Sequence, residues 1–314
     1  VIPLGVTALL PFLLFPILGV SDMATTGAVF GNPIIFLFLG GFIMAMAMEK
    51  WKLHRRLAIF IISAIGTNPP RIILGFMVAA AALSMWISNT ATAMMMVPMG
   101  LSLIRELANP YQEEASSFSK ALMLSIAYGC SIGGVATLIG TPTNVIFTGI
   151  VQETLGEVIS FSQWMTLGLP LSVILLIISW FYLVKVAFRL STDKATDARG
   201  KNRLQALKAQ LPDWTYEEKW IIAVFGTVAL GWVIRPYIFS EASGVTDAFL
   251  ALAGAVVLFI IPSKQAPGSY ILDWPTAARI PWDIILLFAG GLALANGFIR
   301  TGLAAWLGGQ FAAR

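Results

Sequence analysis

Ser84-Met85-Trp86-Ile87-Ser88-Asn89-Thr90-Ala91-Thr92 decides the fold, because of where it lies. It interrupts an apolar run over 72–104, whose 33 residues would make a helix about 50 Å long at 1.5 Å per residue. A bilayer core is about 30 Å thick, so such a run must tilt strongly, fold back or break. Ser, Asn and Thr are preferred N-cap residues, because their side-chain oxygens accept bonds from the free N–H groups of a starting helix. A helix ending near Ile87 and another starting near Thr90 put that cap at the tip of a hairpin deep in the membrane. The starting helix offers about half a positive charge and unpaired N–H donors to an anion. The carbonyls ending the first arm, with the Ser and Asn oxygens, suit a small hard cation instead. Ser84 precedes Ser88 by one helical turn, so its hydroxyl is placed to face the same point.

A second run, over 120–151, is nearly as long and also carries its break inside. It reads Gly133-Gly134-Val135-Ala136-Thr137-Leu138-Ile139-Gly140-Thr141-Pro142-Thr143-Asn144. Thr141 then Pro142 has the form of an N-cap followed by proline at the first helical position, where the missing N–H costs nothing. The glycines permit an unwound stretch with free carbonyls. Irregular backbone at membrane depth is tolerated only where it is buried in protein or lines a cavity. Either break alone would pass for a helix kink relieved by Ser and Thr. Two over-long runs, both broken by capping residues, argue for paired binding elements.

Composition agrees with a membrane setting. Of 314 residues, 58% are apolar and 11% charged, against about 45–50% and about 25% in ordinary soluble domains. Disorder, a disulfide scaffold and nucleic-acid binding are excluded as readings; the single Cys130 has no partner for an internal disulfide. Uninterrupted spans are expected over 1–20, 33–48, 164–186, 220–237, 246–261 and 282–299. The chain opens on an apolar run and closes just after another, which reads as an internal piece of a longer polytopic protein.

Charge sets the orientation. With 50–56 placed in the cytoplasm and the first long run re-entering from that side, 17 of the 20 Lys and Arg residues lie inside. Only Arg235, Arg300 and Arg314 lie outside, a strong positive-inside asymmetry. A single crossing by 72–104 would invert everything after it and export the basic linker. That linker, 188–218, is the one substantial soluble segment, read as a tether; Leu204, Leu207 and Leu211 share a helical face suited to the membrane surface. A repeat is also present. Phe38-Leu39-Gly40-Gly41 before Trp51 resembles Phe288-Ala289-Gly290-Gly291 before Arg300, and the charges run the two copies in opposite directions. That is the inverted-topology arrangement of many secondary transporters. The expected organisation is a first inverted repeat over 1–187, with a re-entrant hairpin at 71–104, a broken helix at 120–152 and a span at 164–187. The linker at 188–218 and the start of a second, truncated repeat over 219–314 follow. The fold class is an all-α polytopic membrane protein.

Ser88-Asn89-Thr90 at a hairpin tip, the Gly133–Asn144 break, and Pro33 to Phe42 ahead of Trp51-Lys52-Leu53-His54-Arg55-Arg56 together resemble the divalent anion/sodium symporter family. The resemblance runs over essentially the whole chain. It implies sodium-coupled symport of divalent anions by alternating access, with C4-dicarboxylates such as succinate first among them. It implies a sodium site of Ser84, Ser88, Asn89 and the Gly140 carbonyl. It implies a substrate carboxylate at Ser88, Asn89 and Thr90, with Thr141 and Pro142 nearby. Sodium is then the coupling ion, with no organic cofactor. The protein is expected to be a homodimer in a cell (inner) membrane, contacting lipid and a small dianion. The family's usual Gly-Thr-Pro-Pro-Asn is Gly140-Thr141-Pro142-Thr143-Asn144 here, a change at Thr143 that leaves the implied ligands in place. A sulfate carrier, or a citrate- or arsenite-type carrier of the wider ion-transporter group, is the alternative.

The remaining residues fit a carrier better than an enzyme. No Asp, Glu, Lys or Arg falls at the centre of an expected span, which favours sodium over a proton relay. One His and one Cys without neighbours supply no nucleophile–base pair. His54 is expected at the surface among cytoplasmic charges. Met94, Met95, Met96 and Met99 are expected to pack the second hairpin arm. Trp51, Trp164, Trp220 and Trp282 are expected at the membrane interfaces.

Overall fold

Helix boundaries follow the capping chemistry closely. The computed structural model describes residues 2–107, 113–190, 194–239 and 244–312, and Arg314 lies outside them. Among the described residues no strand forms beyond one isolated bridge between Pro262 and Tyr270. The expected span over 1–20 is instead two short helices, α1 (Leu4–Thr7) and α2 (Leu10–Ile17). Pro11, near the start of α2, has no N–H to give to the preceding turn, so the helix cannot run through. Then come α3 (Met23–Gly27), capped by Asp22, and α4 (Pro33–Lys50), where Asn32 accepts from the Ile34 N–H at 2.9 Å. Lys52, left-handed at φ 55°, turns the chain into α5 (Leu53–Ile65). Asn68 caps α6 (Pro69–Ser84), and α7 (Asn89–Leu107) follows.

Next are α8 (Glu113–Val135) and α9 (Pro142–Leu155), and α10 (Phe161–Phe181), which ends in a π-helical turn over Tyr182–Ala187. After α11 (Lys194–Ala209), capping boxes or single caps start α12 (Tyr216–Ile238), α13 (Asp247–Ile260) and α14 (Trp274–Ala277). The chain then makes α15 (Trp282–Arg300) and α16 (Leu303–Ala312). Among the described residues, five helices are long and apolar enough to cross a bilayer: 33–50, 117–135, 161–187, 216–238 and 282–300. The protein is an all-α, multi-pass membrane protein.

Two apolar clusters organise these helices. One gathers α4, α12, α13, α15 and the α8–α9 break, where Leu138 and Ile139 are buried. The other gathers α5, α6, α7, α8 and α11. Close backbone approach marks the first cluster. A Cβ on Gly40 of α4 would stand 2.6 Å from the Ala251 carbonyl carbon of α13, and one on Gly290 of α15 would run into the Ala8 carbonyl between α1 and α2. Phe38 meets Phe288 edge-on, with ring centroids 4.9 Å apart.

Two expectations about side chains are corrected. Leu204 and Leu207 do not face the membrane surface: they are buried against α5, α6 and α7, and Gly200 lets α11 sit on the Thr67 carbonyl. His54 is buried, 8% exposed, because its ring folds back to the Met48 carbonyl at 3.2 Å. Trp164 lies near the start of α10, and its indole N–H donates to the Val135 carbonyl at 2.9 Å. The methionines divide: Met96 is buried and Met94 is 66% exposed.

Candidate functional site

Both helix breaks exist, and they meet. The first opens at Met85, three residues earlier than expected, and α7 begins at Asn89. Ser88 caps it, its hydroxyl accepting from the Ala91 N–H at 3.3 Å. Ser84, fully buried, donates to Asn89 Oδ1 at 2.5 Å, closing the tip on itself. The second break covers 136–141 between α8 and α9. Thr141 stands at the N-cap with extended backbone, followed by Pro142, but its hydroxyl makes no capping bond; its neighbour is the Thr143 hydroxyl at 3.5 Å.

Two contacts join the breaks, through Asn89 and Thr137, and two more close the second break on itself. The Asn89 amide lies against Gly134, where a Cβ would stand 2.7 Å from its Oδ1. The Gly134 carbonyl lies against Gly140, where a Cβ would stand 2.6 Å from that oxygen. Asn144 donates from one nitrogen to the Gly134 carbonyl at 2.8 Å and the Thr137 carbonyl at 2.7 Å. Thr137 in turn donates to the Met85 carbonyl across the two breaks. From outside, Trp164 takes the Val135 carbonyl and Ser172 takes Ile132 at 2.9 Å. Unwound backbone in an apolar setting must find partners, and here side chains supply them.

The result is a set of neutral oxygens, with Ser84, Asn89, Gly134 and Gly140 contiguous and buried or half-buried. Oxygen-only, uncharged donors match a small hard cation. Ser88 is half-buried, Thr90 exposed, and Thr141 and Pro142 half-buried. Among the described residues no hydrogen bond joins Thr90, Thr141 or Pro142 to the Ser84–Asn89 pair. Thr92, one turn into α7, is fully buried and its hydroxyl is unpartnered. Among the described residues no group of three His, Cys, Asp or Glu comes together as a metal cluster.

Sequence reasoning missed Thr137, Asn144 and Trp86. The first two lay inside the quoted break, but their partners are main-chain carbonyls, which leave no mark on residue type. Trp86 projects from the tip into an aromatic nest: Phe225 at 4.9 Å edge-on, Trp232 stacked at 6.3 Å, and Phe161 at 6.2 Å. Its apolar neighbours on the page of residues hid it.

Comparison with known proteins now bears on this geometry. Residues 1–313 match the citrate transporter family. The chain belongs to that family. This family member is 43% identical over 319 residues to the sodium-dependent dicarboxylate transporter SdcS of Staphylococcus saprophyticus, covering 98% of this chain and 61% of that protein. It is 42% identical over 318 residues to SdcS of Staphylococcus aureus, with the same 98% and 61% coverage. The chain thus spans about 61% of the length of the curated relatives it matches.

Proposed function

We propose that the full-length protein is a sodium-coupled symporter of C4-dicarboxylates such as succinate, working by alternating access. The observation that carries this reading is the meeting of two helix breaks at Ser84, Asn89, Gly134 and Gly140 in a chain whose relatives are sodium-dependent dicarboxylate transporters. Sodium is held by Ser84, Ser88, Asn89 and the Gly140 carbonyl. One substrate carboxylate is held by Ser88, Asn89 and Thr90, with Thr141 and Pro142 beside it. Helix N-termini replace arginine clamps, since partial positive charge and free N–H groups stabilise an anion without a buried cation. A transporter acts without covalent chemistry, and no cofactor beyond the coupling ion enters this mechanism.

The architecture proposed for it is a pair of inverted repeats, 1–187 and 219 onward, joined by the 188–218 linker, with α6 and α7 as a re-entrant hairpin and the whole a homodimer. Reciprocal packing supports the repeat. Gly40 of the first copy rests on α13, the helix before the second copy's Gly-Gly, while Gly290 rests on the α1–α2 turn ahead of the first. The matching Phe38 and Phe288 touch each other, as equivalent residues do at a two-fold axis.

The test is uptake of labelled succinate by the full-length protein with and without a sodium gradient. Asn89→Ala and Ser84→Ala are expected to raise the half-saturating sodium concentration about tenfold, equivalent to about 1.4 kcal/mol. Thr90→Ala is expected to weaken succinate more than sodium. Sodium-independent uptake overturns the coupling. Competition by sulfate, citrate or arsenite that exceeds competition by unlabelled succinate overturns the substrate class.

A further inference from the structure

A cleft of about 230 Å³ opens beside the hairpin tip. One wall is α4, with Phe42, Met46 and Glu49; another is the tip, with Ile87, Ser88 and Ala91; the third is the turn after α14, with Arg279. Pockets for drug-sized ligands run about 300–1,000 Å³, so this space suits an ion of a few carbons. Glu49 and Arg279 are both exposed and make no ion pair with each other. The nearby Lys50 is already committed: its ammonium donates to Asp273 at 2.6 Å, and that bond, with one from the Thr276 N–H, holds the Asp273 carboxyl down at about 2. Among the described residues lining the cleft, Arg279 is therefore the one cation, and Glu49 the one anion.

We propose that this cleft is the passage by which the cargo reaches the hairpin tip from the Lys50–Arg279 end, with Arg279 raising and Glu49 lowering the affinity of that end for a dianion. The inference rests on the transport reading above and adds a specificity-determining pair to it. Arg279, which lines the same cleft as Ser88, draws a doubly charged dicarboxylate toward the tip. Glu49 keeps the mouth from holding the anion too long, because passage needs binding weak enough to leave. Removing one exposed charge changes the energy of a dianion twice as much as that of a monoanion, and salt screens the effect.

The experiment uses the full-length protein in oriented proteoliposomes, with labelled succinate offered separately to each face. Arg279→Gln is expected to raise the half-saturating succinate concentration about three- to tenfold at the Lys50–Arg279 face only. Arg279→Lys restores it, Glu49→Gln lowers it, and all differences shrink at high ionic strength. Unchanged half-saturation at both faces, in a wild-type background that transports, overturns the role of the pair while leaving the transport reading standing. Equal loss of maximal rate in the Gln and Lys variants, with half-saturation unmoved, marks a merely structural arginine and also overturns it. A wild-type protein that carries no dicarboxylate at all overturns both readings together.

Discussion

Asn144 shows how much one neutral side chain does at a buried helix break. Its single amide nitrogen serves two carbonyls of unwound backbone, Gly134 and Thr137. Asn144→Ala leaves the Gly134 carbonyl unpaired in a buried setting, at about 1–3 kcal/mol, and leaves the Thr137 carbonyl only the long bond from the Gly140 N–H at 3.4 Å. Thermal unfolding of the purified full-length protein should register a loss of about 2–4 kcal/mol, and Asn144→Asp should fare no better, having no donor. A wild-type melting curve in either variant would mean water already serves those carbonyls. His54 sets a pH dependence. Burial lowers its pKa from the ordinary histidine value of 6.5, so the folded state binds fewer protons than the unfolded one as pH falls through that value. Stability is therefore full above about pH 6.5 and declines below it. His54→Gln should flatten the melting temperature between about pH 7 and pH 5; an undiminished slope would assign it to another group. Ser84, Ser88 and Asn89 were legible as a cluster because capping and polarity are written in residue type. Asn144 and Thr137 were not, since their work is done on backbone atoms.

Elements were legible wherever length or a cap spoke. The two over-long runs did break, and Asn32, Asn68, Ser160 and Thr215 start helices as their chemistry demands. What escaped was which face meets protein. In a membrane helix lipid-facing and core-facing positions are both apolar, so periodicity carries little; on the polar α11, in the segment read as a tether, Leu204 and Leu207 suit the membrane surface by spacing yet pack against protein. Two element-level contacts can be tested. Trp86 keys the hairpin tip into Phe161, Phe225 and Trp232. Trp86→Ala should raise half-saturation for sodium and succinate together by several-fold, and Trp86→Phe should recover most of it; a drop in stability with both constants unmoved would reduce Trp86 to packing. Arg56 clamps α5 to the end of the linker. It pairs with Glu218 at 2.8 Å, donates to the Pro212 carbonyl at 2.8 Å and lies over the Trp214 ring. Arg56→Ala strands a buried carboxylate and should cost about 3–5 kcal/mol. Double replacement of Arg56 and Glu218 by apolar residues should cost less than either single loss, and a strictly additive cycle would contradict the pair.

At the scale of the molecule, the charge asymmetry and the Gly-Gly repeat are the grounds for the two opposed halves we propose. Topology is testable with single cysteines at exposed sites. In a cysteine-free full-length background, Lys201→Cys should react with an impermeant thiol reagent only from the cytoplasm, and Glu157→Cys only from outside. Labelling of Lys201→Cys from outside would remove the re-entrant hairpin. The first helices could not be foreseen as two pieces, because Pro11 lies in a run that composition alone reads as one span.

The glycine seats also carry a timetable. Gly40 meets Ala251 about 210 residues later in the chain, and Gly290 returns to Ala8 across about 280. At a synthesis rate of about 5–20 residues per second, α4 waits roughly 10–40 s for the helix that fills its groove. During that interval its small-residue face lies open to lipid and to every other nascent helix, and the α1–α2 turn finishes packing only when α15 arrives.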